Sequence, residues 1–461
     1  MELLVIPNKS DYAIAWCIDY ALSRIESGES IGIMDLSDLQ LRYRFFGRRI
    51  TERALSKKPM LGLVKHLIRE EIFIQIKYET ITASPVKKPL NFSQTLEDTI
   101  VSAYAFDYGT SEIQISDIDQ TTVAIESEIF ETVYATVLQT LEELRPTKLV
   151  TVNGRFVVDS AALLAARTIG IPSLMLEKTS ENFSYYSIHS VSTQSPREIY
   201  EIILRVWNQV IDRNQEDAAK EISRNFFTSY SNFSKISPTF EDEKFSKKLL
   251  SKAAVIFPTS DHEFAIYNPT KIESLGSAGQ LSTFAAAIRI LRSFGISDVI
   301  VRTHPHPVGS KVGLVEDSIW RQFCLENEAH FIASTNSTDS YYLASNSYLN
   351  LVGSSTIGAE ISHAGYPVIF TDDSSYGYFL PEFLATTEEE LVELIGARPK
   401  NVDPSRLDPW GYYMATGENR LKYIEMYGTD SFKAFGKIWA VPRKNISKII
   451  FFVVKIKQRL A

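Results

Sequence analysis

The chain has very little cysteine, no long apolar run, and none of the glycine fingerprints of the common nucleotide enzymes. Cys17 and Cys324 are its only cysteines, far apart and without metal-ligand spacing. Their scarcity excludes a disulfide framework and a cysteine-built zinc site, and it predicts a reducing, cytoplasmic setting. No apolar stretch reaches the roughly eighteen residues that a bilayer-spanning helix needs. Gly-x-Gly-x-x-Gly, Walker A and Gly-x-Ser-x-Gly patterns are all missing, which argues against dinucleotide redox chemistry, P-loop hydrolysis and a serine-hydrolase elbow. The opening residues Met1-Glu2-Leu3-Leu4-Val5-Ile6-Pro7 lack a basic region and a long apolar core, so they read as a first core strand and not as a signal peptide. Acid is missing from one end as well. After Asp430 there is no Asp or Glu, while Lys433, Lys437, Arg443, Lys444, Lys448, Lys455, Lys457 and Arg459 follow.

What is present is ordinary for a globular protein: 44% hydrophobic and 23% charged residues over 461 positions. That length predicts two or three domains at about 150 residues each. The net charge of −8 divides unevenly, because the first 430 residues hold 40 basic and 56 acidic groups. An acidic body disfavours nucleic acid as a partner. The basic tail, with apolar residues 449–454 bracketed by Lys448, Lys455, Lys457 and Arg459, predicts an amphipathic C-terminal helix lying on an anionic membrane surface through residues 433–461. The same segment would serve equally as a final helix packed on the body or as a homo-oligomer contact.

Strand and helix patterns alternate through the first half. Strands are expected at 2–6, 30–34, 73–77, 148–152 and 173–176, and helices at 12–25, 92–104, 121–144, 157–169 and 196–214. The polar, Ser-rich stretch 214–242 breaks this rhythm and reads as an interdomain connection. A second series then runs through strands at 253–257, 298–302, 348–352 and 367–370. Its helices are expected at 280–293, 315–327, 357–364, 391–397 and 412–427. Such alternation implies parallel sheets with crossover helices. The expectation is therefore an α/β protein with two Rossmann-like domains facing across a cleft. Their bounds are 1–215 and 243–430, joined by a linker at 216–242 and followed by a tail at 431–461.

Two turns at strand ends carry most of the chemistry. Arg302-Thr303-His304-Pro305-His306-Pro307 follows an apolar strand, and its prolines stiffen the turn. A histidine held in that way donates to a phosphate oxygen, and Arg302 adds a fork of donors. The bland alternative is a rigid surface loop. Gly353-Ser354-Ser355-Thr356-Ile357-Gly358-Ala359-Glu360 follows the next strand, and three hydroxyls at a helix start make an anion site. One N-cap needs only one of them. Glu360 is placed to accept hydrogen bonds from a ribose or its base, or else to complement the helix dipole. Together the two turns suit a phosphorylated ligand at the carboxyl edge of a sheet.

Three further segments are candidates. Asn153-Gly154-Arg155 ends a strand in the first half, and Glu177 ends another at the same edge. Glu177 is a candidate general base or charge stabiliser, or half of a salt bridge with Arg155. Pro258-Thr259-Ser260-Asp261-His262-Glu263 follows the first strand of the second domain, where Asp261 and His262 are competent for proton or nucleophilic chemistry or, more simply, part of a helix cap. Asp117-Ile118-Asp119 reads as a helix start, and no metal site is expected.

These segments, in this order, resemble the bacterial surface-polysaccharide glycosyltransferases of the GT-B type, a group that includes Kdo transferases and polysialyltransferases. The resemblance runs over roughly residues 147–370 and takes in Gly365-Tyr366-Pro367-Val368 as well. It implies a GT-B-like fold in which Arg302, His304, Pro305, Ser354, Ser355, Thr356 and Glu360 hold a nucleotide-sugar donor. Asn153 and His262 would line the acceptor side or the cleft, with Glu177, Asp261 and Arg155 at the reaction centre. It also implies a CMP-sugar such as CMP-Kdo or CMP-sialic acid, a glycan or glycolipid acceptor, no further cofactor, and a peripheral place on the inner face of the cytoplasmic membrane. Inversion and retention both stay open. Two other functions fit the same frame, a UDP-sugar 2-epimerase and a non-catalytic glycan-assembly protein with a degenerate donor site.

Overall fold

The computed structural model describes residues 1–7, 11–36, 73–75, 88–108, 114–178, 184–188, 195–233, 245–260, 275, 279–305, 311–397, 402–427, 431–434 and 437–440. Its strands, in chain order, are β1 (Glu2–Ile6), β2 (Ile31–Asp35), β3 (Phe73–Gln75), β4 (Lys148–Val152), β5 (Ser173–Lys178) and β6 (Ser184–Ile188). They continue with β7 (Ala254–Phe257), β8 (Val299–Arg302), β9 (His330–Ile332), β10 (Leu349–Val352) and β11 (Val368–Phe370). The last four are β12 (Asn419–Arg420), β13 (Ile424–Tyr427), β14 (Ser431–Ala434) and β15 (Lys437–Ala440).

The chain forms two compact α/β units. Unit 1 comprises residues 1–96, 121–189 and 419–461, and unit 2 comprises 97–120 and 190–418. Unit 1 is built on a sheet of order β12-β6-β5-β4-β1-β2-β3, and unit 2 on one of order β11-β10-β7-β8-β9. All four pairings in the unit 2 sheet are parallel. In unit 1 the run β5-β4-β1-β2-β3 is parallel, and β6 and β12 add on antiparallel. This is the expected α/β class with two Rossmann-like sheets.

The local reason is burial on both faces. Leu3, Leu4 and Val5 of β1, Val255 and Ile256 of β7, and Leu349 and Leu351 of β10 are fully buried, as apolar runs in central parallel strands must be. Asn350 interrupts β10 and is also fully buried. Its amide nitrogen donates to the carbonyls of Ala344 (3.1 Å) and Pro367 (2.8 Å), and its oxygen accepts from Ser347 Oγ (3.0 Å), so no polar group is stranded. The 25-residue helix Gln120–Leu144 buries Ile129, Phe130, Val133, Tyr134, Val137, Leu138 and Leu141, one stripe at helical spacing. It ends at Arg145, whose φ of 47° leaves the helical region just before Pro146.

In each unit the first strand lies in the middle of the sheet. The chain moves outward on one side (β1 to β2 to β3; β7 to β8 to β9) and then returns to the other side through β4 and β10. Strand order thus reverses between β1 and β4 in unit 1 and between β7 and β10 in unit 2. Open α/β sheets hold ligands outside the carboxyl ends of the strands at such a switch.

The domain bounds depart from expectation in three places. Residues 216–233, expected in a linker, form the helix Glu216–Phe233, whose Phe226 and Phe227 pack on Trp410 with ring centroids at 6.0 and 5.8 Å. Its exposed face is polar enough to hide that apolar stripe. The helix expected over 412–427 stops at Thr416, because Gly417 takes a φ of 70° and donates to the carbonyl of Tyr413 (2.7 Å). The chain then returns to unit 1. Strand β12 pairs with β6, and buried Asp19 accepts the backbone N–H groups of Lys422 and Tyr423, both at 2.8 Å. Third, residues 431–434 and 437–440 of the expected basic tail form an antiparallel meander, β13-β14-β15, with residues 424–427. The amphipathic segment expected at 446–460 lies outside the described residues, as do Asp261, His262 and His306. Among the described residues no helix is long and apolar enough to cross a membrane.

Candidate functional site

In unit 2 the switch point is built from the ends of β7 and β10. Gly353 leaves β10 with its N–H on the carbonyl of Phe257 (3.3 Å), and Ser354 Oγ lies 3.3 Å from Thr259 Oγ1. The two turns approach so closely that a Cβ on Gly353 would stand 2.9 Å from Thr259 Oγ1 and 3.2 Å from Gln280 Oε1. Gln280, buried at the start of the helix Gln280–Ser293, clamps Thr259 from both ends of its amide. Its oxygen accepts from the Thr259 N–H (2.7 Å) and its nitrogen donates to the Thr259 carbonyl (2.9 Å). Thr259 and Ser260 are each only 8% exposed, so a buried polar pair faces the glycine turn.

The serine turn itself has spare donors. Gly358 and Ala359 donate their N–H groups to the carbonyls of Ser355 (3.0 Å) and Thr356 (3.1 Å), which starts the helix Ile357–His363. The N–H groups of Ser354, Ser355 and Thr356 have no acceptor among the described residues, and Thr356 caps with its backbone only. From below, the buried Tyr376 hydroxyl is shared between the carbonyls of Ser355 (2.7 Å) and Gly353 (3.2 Å). Gly358 is obligatory here, since a Cβ would reach the Tyr376 ring at 2.9 Å. With its carbonyls engaged from one side, the turn presents consecutive N–H groups and hydroxyls on the other, which is an anion-binding arrangement.

Glu360 is partly buried and accepts the hydroxyl hydrogen of Tyr341. Burial pushes its carboxyl up to about 7, with the Tyr341 hydrogen bond opposing. At the end of β8, His304 and Pro305 are exposed while Arg302 and Thr303 are buried. Arg302 spends its terminal nitrogens on the backbone, donating to the carbonyls of Ala333 and Asn336 (3.2 Å to the latter). Thr303 Oγ1 donates to Asp317 (2.8 Å), and Asp317 also takes the N–H (2.8 Å) and hydroxyl (2.9 Å) of Ser334. Arg302 thus fixes the histidine turn to the loop after β9.

Unit 1 carries a different constellation at its own switch. Asn153 (φ 64°) and Gly154 (φ 85°) form a left-handed pair at the end of β4. A Cβ on Gly154 would clash with Met175 and stand 2.9 Å from Leu163 Cδ1, so glycine is required by space as well as by φ. The Asn153 side chain uses both ends. Its oxygen accepts from the Arg155 N–H (3.1 Å), and its nitrogen donates to Glu177 Oε2. Glu177 Oε1 accepts from the Lys178 N–H (2.8 Å). Burial raises the Glu177 carboxyl above its usual range, opposed by these two donors and by the positive charge of Arg155. Under the turn, fully buried Asp159 accepts the Gly154 N–H at Oδ2 (2.7 Å), while its Oδ1 has no partner among the described residues. Burial pushes Asp159 up to about 7.

The structure therefore brings Asn153, Arg155 and Glu177 together at one sheet edge, and Ser354, Ser355 and Thr356 together with Thr259 at another. Asp159, Gln280, Asp317, Tyr341 and Tyr376 were not singled out from sequence. Gln280, Asp317, Tyr341 and Tyr376 each act on a turn 14 to 21 positions away, whereas Asp159, at the third position of a helix after Asn-Gly, acts five positions back and carries a local capping signal.

No family model matches the chain, and no curated protein matches it. Among solved structures it is similar to UDP-GlcNAc 2-epimerase from Neisseria meningitidis bound to UDP-GlcNAc, with 12% identity over 90% of this chain and 97% of that one, at a TM-score of 0.29. It is also similar to MurG of Acinetobacter baumannii (10% identity, 91% and 96% covered, TM-score 0.27). A third similar structure is KpsC of Thermosulfurimonas dismutans, a beta Kdo 2,7 transferase (14% identity, 56% and 78% covered, TM-score 0.32).

Proposed function

We propose that this chain is a glycosyltransferase that takes its donor as a nucleotide sugar, with the nucleotide held in unit 2. The observation that carries this is the Ser354–Ser355–Thr356 turn, whose three consecutive N–H groups and hydroxyls stand at the β7/β10 switch point. An anion held there meets donors fixed in advance by Gln280, Tyr376 and Gly353, so no reorganisation is needed when charge develops on a leaving phosphate. His304 adds an exposed donor from β8, and Glu360 reads hydroxyls of the ribose. Arg302 serves this site indirectly, by fixing the His304 turn.

In unit 1 Glu177 is held by Asn153 and the Lys178 N–H in a setting that raises its pKa, as suits a group that takes a proton from an acceptor hydroxyl. Transfer breaks the bond from the anomeric carbon to the phosphate oxygen, makes one to the acceptor oxygen and releases the hydroxyl proton to a base, the role proposed for Glu177. The order of motifs favours a CMP-sugar donor and a lipid-linked bacterial surface glycan as acceptor. The eight basic residues after Asp430 favour an anionic membrane surface as the place of work.

Thermal-shift measurements with CMP, CDP, UDP and GDP test this. A ligand at about a hundred times its Kd stabilises by about 2.7 kcal/mol, a readily measured shift. Stabilisation by one of the four names the donor class. Stabilisation by none removes the proposal and leaves the non-catalytic alternative. Interconversion of UDP-GlcNAc with its 2-epimer, followed by proton NMR, would replace transfer with epimerisation.

A further inference from the structure

The two donor-side turns of unit 2 are not adjacent on the sheet edge, since β7 lies between β8 and β10. A single short segment, residues 333–341, reaches both. At its start, the carbonyls of Ala333 and Asn336 accept from Arg302, and Ser334 is fixed by Asp317, which also holds Thr303 beside His304. Its middle is closed on itself, with the Asn336 N–H on the Ala333 carbonyl (3.0 Å) and the Thr338 N–H on Asn336 Oδ1 (2.8 Å). At its end Asp339 caps the helix Ser340–Asn346 by accepting the Tyr341 N–H (2.8 Å), and the Tyr341 hydroxyl donates to Glu360. The far end of that helix is pinned by the buried Asn350 amide on the Ala344 carbonyl. Tyr341 is therefore anchored on both sides and has little freedom of its own.

We propose that Tyr341 is a positioning residue that aims the Glu360 carboxylate at the ribose hydroxyls of the donor, and that residues 333–341 make this carboxylate and the His304 turn one mechanical unit. The proposal rests on unit 2 being the nucleotide site. A carboxylate on the helix Ile357–His363 has several rotamers, and the Tyr341 hydrogen bond to one of its oxygens holds it in one of them. The remaining Glu360 oxygen is a strong acceptor for a hydroxyl hydrogen. Tyr341 thereby selects for ribonucleotides over their deoxy counterparts without itself touching the ligand.

The test compares the best-binding nucleotide of the CMP, CDP, UDP and GDP set with its 2′-deoxy form, by calorimetry, on the full chain. Wild type is expected to prefer the ribonucleotide by about tenfold or more, the scale of a hydrogen bond to a charged group. Tyr341→Phe should shrink that preference to near unity, with a smaller loss of affinity for the deoxynucleotide, which keeps its 3′-hydroxyl, and Glu360→Gln should do the same. In the double variant the two effects should not add. An unchanged ribose preference in Tyr341→Phe overturns the proposal, as does an equal loss of both nucleotides, which a merely structural role would give. The more conservative Glu360→Gln, read alone, decides the ribose assignment should Tyr341→Phe fail to fold, since an unaltered preference there sinks the aim of the tyrosine too. Absence of any nucleotide binding to wild type sinks the nucleotide site itself, and the Tyr341 proposal with it, an outcome distinct from binding that ignores Tyr341.

Discussion

Units 1 and 2 share one strand order and one switch point, yet the switch is furnished with opposite chemistry. In unit 2 the ends of β7 and β10 offer donors: backbone N–H groups, Ser and Thr hydroxyls, and exposed His304 nearby. In unit 1 the ends of β4 and β5 offer acids: Glu177, partly buried at the edge, and Asp159 beneath it, both pushed upward by burial. Topology therefore fixes where a ligand sits, and the residues at the turns decide what sits there. Donor groups suit an anion that is bound and released with a negative charge. Raised carboxyls suit proton transfer near neutral pH.

The largest effect that would break this division is the loss of proton chemistry from unit 1. Glu177→Gln keeps the size of the side chain and one acceptor oxygen, so it can hold only one of the Asn153 and Lys178 donors, and it removes the base. It should lower kcat by about 10²–10⁴-fold and leave the nucleotide-induced thermal shift intact. A variant that loses nucleotide stabilisation along with turnover would place the nucleotide, and not the proton, at Glu177. The converse in unit 2 is His304→Ala. Its nucleotide affinity should fall about 10–100-fold, the scale of one hydrogen bond to a charged group, with the pH profile of turnover unmoved. Titration of each variant with the stabilising nucleotide checks both statements.

Much of this comparison is legible in the sequence. Central parallel strands are buried on both faces, so Leu3–Leu4–Val5 and Val255–Ile256 read as strands wherever they are placed. Gly353 and Gly154 sit at strand ends beside hydroxyl and amide residues, and those turns stand out by composition alone. The supporting residues do not. Gln280 reaches Thr259 across 21 positions, and Tyr341 reaches Glu360 across 19, and nothing local marks a glutamine or tyrosine for that task. Strands β6 and β9 are short and carry Ser, Tyr and His, so they lack a periodic signal, and they exist because neighbouring edges were available. The return of the chain to unit 1 is hidden for the same reason. Residues 419–423 join unit 1 through β6, Asp19, Glu26 and the core on which Leu421 and Tyr423 pack, partners some 230 to 400 positions earlier in the chain.

A smaller effect sharpens the contrast between the two edges through pH. The Asp159 carboxyl stands at about 7 in the folded chain and at about 3.9 once unfolded. Between those values the folded state holds a proton that the unfolded state has released. Its contribution to stability is therefore highest below about pH 4, falls as pH rises through the window, and levels off above about 7. The ceiling on that fall is about 4 kcal/mol. Asp159→Asn keeps an acceptor for the Gly154 N–H and should flatten the pH dependence of the melting temperature between these limits. Glu177, raised in the same direction, leaves a residual slope. A slope that is unchanged in Asp159→Asn would assign the whole titration elsewhere.

The smallest effect concerns how unit 1, alone of the two, is completed by a late segment of chain. Asp19 is 2% exposed and receives two backbone N–H groups at 2.8 Å, from Lys422 and Tyr423, just after β12 joins β6. Asp19→Ala removes a charge-assisted acceptor and leaves two donors to find water, at a cost of about 1–3 kcal/mol. Because β12 pairs at only two positions, that loss should release the edge before the core. Hydrogen exchange should then speed up at residues 419–423 and along β6, while β1, β4 and the whole of unit 2 keep their protection. Faster exchange spread evenly over both units would mean that the returning segment is part of a common fold, and the two sheets could no longer be treated as separately stable.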